Sequence, residues 1–317
     1  MNLFRFEKWF FDIVTPDNDY IIFYHTLSKF LIFRVIYLEI HVARNDWSGM
    51  IEKSYSRNIK LHFTRRAGHN LITKSGRISF HDAGCSYEII HDKLSIRLEI
   101  EDYFRPDQNW PVMIIGKGRK QKIEWQPLSL KGIAKGKISA GQDIEITGFP
   151  GYIDYVSSNF NPFKVPVKEL FWGRLHDDSL DITYSYAIDE ARKSDWNLFI
   201  IRVDSEIIEF RNLTMDIVST KYSEELEMHV PESYRLTGKG TDSRFEIKVE
   251  HIKAAVISKF IDSIQSRGKN RKKIFKKLTG DPKGIKFHSV ADIKLEYHDK
   301  NKLLSGASLI SEYVRFK

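Results

Sequence analysis

The clearest structural signal lies at the centre of the chain, in residues 150–188, which read PGYIDYVSSNFNPFKVPVKELFWGRLHDDSLDITYSYAI. The segment opens with Pro150-Gly151, a pair that predicts a turn. Two strand-like runs, 169–175 and 180–187, then flank a short polar turn. Residues 181–186 alternate with a period of two, which is typical of a half-buried strand. The segment therefore predicts an antiparallel hairpin.

A similar hairpin is predicted at the N-terminus, where residues 7–13 and 20–27 flank a turn that contains Pro16. In each hairpin, an acidic residue is followed by an aromatic cluster, a polar turn and an aromatic second strand. They begin about half the chain apart, whereas the repeats of a solenoid are roughly 20–50 residues long. The spacing indicates two similar domains.

The length supports the same division, because 317 residues exceed the roughly 250–300 at which a single core stops growing. We predict an N-terminal domain over residues 1–150 and a C-terminal domain over residues 151–317. The second domain is expected to carry a basic surface segment near residues 266–284.

Most of the remaining chain consists of short runs rich in β-branched and aromatic residues, which favour strands. Residues 94–101 show the cleanest alternation. Many short strands joined by polar turns predict an all-β protein made of antiparallel barrels. Residues 252–266 are ambiguous, because their apolar positions fit either a helix or a strand. We expect one or two short helices near residues 252–278.

The formal charge of +8 is concentrated in a basic run that begins at Arg267 and ends at Lys277. The run contains one aromatic residue, Phe275, whereas a binder of single-stranded nucleic acid interleaves several. No nucleic-acid partner is therefore predicted. A solvated surface is the favoured interpretation, and a peripheral contact with an anionic membrane is the alternative.

The single cysteine, Cys85, excludes an intramolecular disulfide and fits a reducing compartment. The N-terminus lacks the pattern of a signal peptide. Residues 20–40 are the most apolar stretch, but Lys29, Arg34 and Glu39 interrupt it, and a membrane span needs about 20 apolar residues. A soluble, cytoplasmic protein is expected.

Five segments resemble the AttH-like, carotenoid-hydratase-type lipocalin-like proteins. They are residues 7–12 (EKWFFD), 94–106, 151–154 (GYID), 171–176 (FWGRLH) and 306–313. The resemblance implies two lipocalin-like β-barrels side by side, with an apolar ligand site in or between them. Relatives in this group include carotenoid hydratases and tocopherol-cyclase-like and pericyclase-like proteins, all of which act on hydrophobic molecules without a cofactor.

The chain departs from this family at one element. After Gly151 to Asp154 the family often continues with histidine, asparagine and tryptophan, whereas this chain has Tyr155-Val156-Ser157. The departure leaves the type of reaction open.

Protonating an alkene or polarising a carbonyl requires a carboxylic acid that stays neutral near pH 7, and burial among aromatic rings favours that state. Asp154, which lies between Tyr152 and Tyr155, is the first candidate for this acid. Glu7 and Asp12 are further candidates. The alternative is that Asp154 caps a turn, because aspartate is a common turn residue.

Other side chains are candidates for substrate binding. The ring faces of Trp9, Trp172 and Tyr184 can stabilise a developing carbocation. Arg174 and His176 lie two residues apart, hence on one face of a strand, where they can bind an anionic or carbonyl group. The alternatives are that both tryptophans belong to the barrel cores and that Arg174 pairs with a buried carboxylate.

Motifs for metals and cofactors are missing, because the histidines lack metal-ligand spacing and no phosphate-binding or nucleophile-elbow motif occurs. The resemblance, with which these absences agree, implies a cofactor-independent enzyme that hydrates, cyclises or isomerises a hydrophobic small molecule, such as a terpenoid, carotenoid or polyketide-like product, in a cavity at the barrel junction. A non-catalytic carrier of a lipophilic ligand and a structural protein with filled barrels are the alternatives. The sequence leaves the substrate and the oligomeric state open.

Overall fold

The computed structural model describes most of the chain. The described residues are 4–17, 19–30, 33–43, 48–57, 62–64, 70–73, 76–82, 84–91, 94–101, 113–116, 122–140, 143–159, 167–189, 197–204, 206–259 and 282–316. They form two compact units, Met1–Asn161 and Pro162–Lys317. The division comes after residue 161, whereas the sequence placed it near residue 150.

Each unit contains one antiparallel sheet. The strands of unit 1 are β1 (Phe4–Val14), β2 (Tyr20–Phe30), β3 (Phe33–Ala43), β4 (Ser48–Arg57), β5 (His62–Thr64), β6 (Asn70–Thr73), β7 (Gly76–His81), β8 (Gly84–His91), β9 (Leu94–Glu101), β10 (Met113–Gly116), β11 (Lys122–Ala140) and β12 (Asp143–Ser158). Those of unit 2 are β13 (Val167–His176), β14 (Leu180–Asp189), β15 (Leu198–Val203), β16 (Glu206–Phe210), β17 (Leu213–Ser223), β18 (Met228–Lys239), β19 (Ser243–Lys259), β20 (Lys283–Tyr297) and β21 (Lys300–Arg315).

The two sheets share one topology. In unit 1 the order is β4-β3-β2-β1-β12-β11-β9-β8-β7-β6-β5, with β10 beside β11, and in unit 2 it is β16-β15-β14-β13-β21-β20-β19-β18-β17. The first strand of each unit therefore pairs with its last strand. The registers also correspond, because Trp9 pairs with Tyr155 in unit 1 and Phe171 pairs with Tyr313 in unit 2.

Each sheet is rolled around its own core. The rings of Phe23 on β2 and Tyr87 on β8 have centroids 5.0 Å apart, although five strand-to-strand steps separate them along the sheet. A flat sheet would place them about 24 Å apart, at roughly 4.8 Å per step. In unit 2 the same argument applies to Phe199 on β15 and Phe245 on β19, whose centroids are 3.8 Å apart.

The predicted all-β class is confirmed, and both predicted hairpins form, as β1–β2 and β13–β14. The helix expected near residues 252–278 is wrong over residues 252–259. These residues belong to β19, where Lys259 pairs with Lys283, because the neighbouring strand supplies hydrogen bonds that the apolar pattern alone does not reveal. The rest of that stretch, including the basic run from Arg267 to Lys277, lies outside the described residues.

The turn predicted at Pro150-Gly151 is also wrong. Both residues lie inside β12, where Gly151 pairs with Ile13 on one side and with Gly132 on the other. Two flanking strands thus hold an extended backbone at a dipeptide that favours turns in isolation. No helix in the described part of the chain is long and apolar enough to cross a membrane.

Candidate functional site

The predicted site residues are distributed over both faces of the rolled sheets. We call the side lined by each hydrophobic cluster the core face, and the opposite side the outer face. On β1 the core face contains Trp9, Phe11 and Ile13. Because successive residues of a strand point to opposite faces, Phe10 and Asp12 lie on the outer face.

Asp154 on β12 lies on the outer face of unit 1 and is 4% exposed. Its Oδ2 accepts hydrogen bonds from the indole N–H of Trp125 at 3.0 Å and from the hydroxyl of Tyr152 at 3.1 Å. The carboxyl group is therefore held by two neutral side-chain donors. A protonated Asp154 would carry its hydrogen on Oδ1, because Oδ2 is the accepting oxygen.

Aromatic rings border this carboxyl group. Phe10 pairs with Asp154 across the β1–β12 ladder, stacks on Tyr24 at 5.7 Å, and meets Tyr152 edge-on at 6.1 Å. The ammonium group of Lys8 lies 4.2 Å from the centroid of the Tyr24 ring. The outer face thus combines an acid, ring faces and a cation–π contact.

Asp12 shares the outer face with Asp154 and is completely buried. It pairs with Tyr152 across the ladder. The sequence had grouped Tyr152, Asp154 and Tyr155 around one acid. The structure brings Tyr152 and Asp154 together and turns Tyr155 to the opposite face.

Glu7, Trp9 and Tyr155 lie together on the core face of unit 1. The hydroxyl of Tyr155 donates to Glu7 Oε1 at 2.8 Å, and Arg5 donates to the same oxygen at 2.6 Å. Burial, followed by the charge of Glu7, raises the pKa of Tyr155, so its hydroxyl remains a donor near pH 7. Trp9 packs on Tyr155, with centroids 5.2 Å apart.

Trp172, Arg174 and His176 lie on the outer face of unit 2, and the first two are buried. The ammonium group of Lys286 lies 5.3 Å from the Trp172 ring and pairs with Glu312. This distance is within the range of a cation–π contact.

His176 and its neighbours form a second polar group on the outer face of unit 2. His176 Nδ1 lies 2.5 Å from Asp181 Oδ1, and Arg202 donates to the other oxygen of Asp181. Arg174 and His176 therefore share a face as predicted from their spacing, and His176 already has a carboxylate partner.

Tyr184 lies on the core face of unit 2, away from the face that carries Trp172. Its hydroxyl is hydrogen-bonded to that of Tyr234, and burial raises the pKa of Tyr184. Gly173 makes room for this ring, because a Cβ at residue 173 would lie 2.3 Å from the Tyr184 ring atoms.

Several functional partners were missed from the sequence. Trp125 reaches Asp154 from β11, Tyr234 reaches Tyr184 from β18, and Lys286 reaches Trp172 from β20. Tyr234 and Lys286 come from strands remote in sequence, and Trp125 comes from the neighbouring strand of the β11–β12 hairpin, 29 residues before Asp154, so no local pattern marks these contacts.

Two open clefts of about 400 and 390 Å³ lie at the strand ends of unit 2, around residues 239–244 and 294–301. Neither contains a predicted site residue, and the predicted cavity at the barrel junction stays a prediction. Among the described residues, no group of three or more His, Cys, Asp or Glu side chains is arranged to hold a metal ion.

Neither a protein-family model nor a curated protein sequence matches the chain. Solved structures are similar to it at low sequence identity. A Nitrosomonas europaea protein assigned as AttH has a TM-score of 0.63 and 13% identity, over 100% of this chain and 94% of that one. CghA with Sch210972 has a TM-score of 0.65 and 10% identity, over 98% and 88%.

Kievitone hydratase from Nectria haematococca has a TM-score of 0.58 and 11% identity, over 98% of this chain and 88% of that one. These likenesses extend over nearly the whole chain. They confirm the predicted fold, which is the AttH-like, lipocalin-type arrangement of antiparallel strands.

Proposed function

We propose that this protein is a cofactor-independent enzyme that hydrates, cyclises or isomerises a hydrophobic small molecule, with Asp154 as its general acid. The observation that carries the proposal is the environment of this carboxyl group. Asp154 is buried, its Oδ2 accepts bonds from Trp125 and Tyr152, and aromatic rings border it. Burial among aromatic rings favours the neutral acid that proton transfer to carbon requires, and it opposes the two donors at Oδ2, which favour the ionised form.

The chemistry needs only side chains of this site. In a hydration, the proton of Asp154 adds to one alkene carbon as the π bond breaks, and water adds to the resulting carbocation. The proton that the water loses returns to the carboxylate. In an isomerisation, the carboxylate instead removes a proton from the neighbouring carbon. Phe10 and Tyr24 present ring faces on the same side of the sheet, and such faces stabilise a transient cation.

The shared fold supports the class of substrate. One solved structure with this fold is a hydratase named for kievitone, and another, CghA, was solved with Sch210972. Both proteins are thus associated with a small organic molecule. Kievitone and Sch210972 are therefore suitable first probes for this chain.

The experiment incubates the protein with kievitone and follows the addition of one water by mass spectrometry, while binding of Sch210972 is measured in parallel. Asp154→Asn keeps the shape of the side chain and removes the transferable proton, so turnover is expected to fall about 10²–10⁴-fold. Binding should change little.

Glu312→Gln is the matched control, because Glu312 pairs with Trp172 in the register position that Asp154 occupies opposite Phe10. An equal loss of turnover in Glu312→Gln contradicts the assigned role of Asp154. Binding without conversion in the unaltered protein instead supports the carrier.

A further inference from the structure

Three polar side chains of unit 2 form a row across the outer face at one end of the sheet. Arg202 on β15, Asp181 on β14 and His176 on β13 lie in one register, because Asp181 pairs with each of the other two. Nδ1 of His176 lies 2.5 Å from Oδ1 of Asp181, and Arg202 donates to Oδ2 of the same carboxylate. The two carboxylate oxygens therefore hold two different partners.

This row is not a requirement of the fold, because unit 1 lacks it. The equivalent row of unit 1, matched through the shared register of the first and last strands, consists of Val14, Tyr20 and Ala43. None of these side chains carries a charge near pH 7. The same topology is therefore stable without a carboxylate–histidine pair at this place.

The carboxylate determines which ring nitrogen of His176 carries the hydrogen. A carboxylate accepts hydrogen bonds and donates none, so Nδ1 is the donor and the neutral ring has its lone pair on Nε2. Asp181 is 1% exposed, and Arg202, which also donates to the carbonyl oxygen of Asp204 at 3.0 Å, holds it from the other side. The ring is thus fixed in the tautomer and orientation of a general base.

Nε2 of His176 is open to solvent. It has no hydrogen-bond partner in the described part of the chain, and the side chain is 10% exposed. The Nε2 atoms of His25 and His251, in contrast, are buried. His176 also adjoins a surface turn, in which Asp178 is exposed. A small molecule can therefore reach Nε2 from solvent without a cavity.

A cation lies at the same turn. Lys302 on β21 donates to the carbonyl oxygen of Ser179 at 2.7 Å. Burial raises the pKa of Asp177, but the hydrogen bonds from Ser179, and after them the charges of His176 and Lys302, lower it by more. Both charges thus act on one turn residue. An ammonium group in this position can stabilise negative charge that develops on a substrate oxygen beside His176.

We propose that His176, Asp181 and Lys302 form a second catalytic centre, at which unit 2 hydrolyses a small activated ester. Nε2 of His176 takes a proton from water as the water oxygen bonds to the ester carbonyl carbon. The carbonyl π electrons move to the carbonyl oxygen, where Lys302 stabilises the charge. When the carbonyl re-forms, the bond to the leaving oxygen breaks, and Nε2 returns the proton to that oxygen.

Asp181 is a positioning residue in this centre, because it acts through the ring of His176. The products are a carboxylic acid and an alcohol, and the histidine is regenerated without a cofactor. The proposal is independent of the reaction assigned to Asp154, because it concerns another class of substrate and uses residues of unit 2 only.

The test measures the hydrolysis of p-nitrophenyl acetate by the full chain, followed as release of p-nitrophenolate. His176→Gln should lower kcat/KM at least about 10²-fold, the lower limit for general acid–base catalysis. Equal rates in His176→Gln and the unaltered protein overturn the proposal. An unaltered protein that is no faster than buffer overturns it too.

His298→Gln is the matched control. His298 also has a carboxylate partner, Glu206, at 2.8 Å, but these side chains are 59% and 48% exposed. Because water screens an exposed pair, its carboxylate orients the ring weakly, and this variant should keep the rate of the unaltered protein. Equal losses in His298→Gln and His176→Gln contradict a role for the buried carboxylate.

Asp181→Asn tests the positioning role, because the amide group can donate to Nδ1 and so move the ring hydrogen to Nε2. The value of kcat should fall about tenfold or more with little change in KM. The rate should also begin to rise at a lower pH, since a carboxylate stabilises the protonated ring. A pH profile that keeps its shape and position contradicts this role.

Lys302→Gln tests the stabilisation of the carbonyl oxygen. The value of kcat should fall about 10²-fold, the usual loss for one such donor, while KM changes little. An unchanged kcat contradicts the assignment of Lys302 to the centre.

A measurement on the unaltered protein covers the case in which these variants do not fold. Nitrogen NMR of ¹⁵N-histidine-labelled protein should show a neutral His176 with its hydrogen on Nδ1. A hydrogen on Nε2 contradicts the proposal, because that tautomer cannot take a proton from water at the open side of the ring.

Discussion

Tyr155 donates its hydroxyl hydrogen to Glu7 Oε1 at 2.8 Å and so ties the last strand of unit 1 to its first. The same pair occurs in unit 2, where Tyr313 is hydrogen-bonded to Glu169. Both pairs have the same register between first and last strands. Because the pair is repeated, it favours a role for Glu7 in closing the sheet over a role as the acid, and Asp154 remains the better candidate.

Tyr155→Phe should destabilise unit 1 by about 1–3 kcal/mol, because it leaves a buried carboxylate oxygen with one donor fewer. Tyr313→Phe is the control and should cost less, since the Glu169 side chain is 15% exposed and that of Glu7 only 4%. Urea unfolding followed by circular dichroism measures both. Equal costs would mean that burial of the carboxylate does not set the energy of the pair.

Gly173→Ala should destabilise unit 2 by about 1–3 kcal/mol, the usual cost of overpacking a core. The added methyl group would lie 2.3 Å from the ring of Tyr184 and force it away from Tyr234. Gly151→Ala is the matched control in a strand of unit 1, where the nearest atom is 3.5 Å away. Thermal unfolding should show no loss for the control, and a comparable loss in both variants would refute the steric explanation.

Trp125→Phe should extend the pH range of turnover on its alkaline side. The indole N–H donates to Asp154 Oδ2, a bond that stabilises the ionised carboxylate more than the neutral acid. Without it the acid should keep its proton to a higher pH. The measurement is kcat with kievitone against pH, and an unchanged alkaline limit would exclude a positioning role for Trp125.

Acid should destabilise the protein partly through His25. Burial lowers the pKa of His25 from 6.5 to about 3, so the folded state binds its proton less readily than the unfolded state. The stability that this residue contributes is complete above pH 6.5 and falls as the pH drops toward 3. The slope is about 1.4 kcal/mol per pH unit for one proton.

His25→Phe should remove that contribution and flatten the slope between pH 6 and 4, within the window that the two pKa values define. Denaturant unfolding of this variant and of the unaltered protein at several pH values gives the two slopes. Parallel curves for His25→Phe and the unaltered protein would show that His25 titrates alike in both states.

The positions of the hairpins and the β class could be predicted from the sequence, because alternation and turn residues are local properties. The two-residue spacing of Arg174 and His176 also predicts that they share a face of one strand. The sequence analysis groups Tyr155 with Tyr152 and Asp154, whereas the structure turns Tyr155 to the opposite face, because β12 continues through this segment. The turn predicted at Pro150-Gly151 and the helix predicted over residues 252–259 are wrong. At both places, pairing with neighbouring strands determined the backbone conformation.

The sequence alone determined which side chains can share a face of one strand, and the tertiary structure decided what each face meets. Residues 151–155 are all buried, so no alternation of polarity marks which side of β12 faces the core. Trp125 reaches Asp154 through the pairing of β11 with β12, and Tyr234 reaches Tyr184 only because rolling of the sheet brings β18 close to β14. Such contacts depend on the register and curvature of the whole sheet, which no short stretch of sequence encodes.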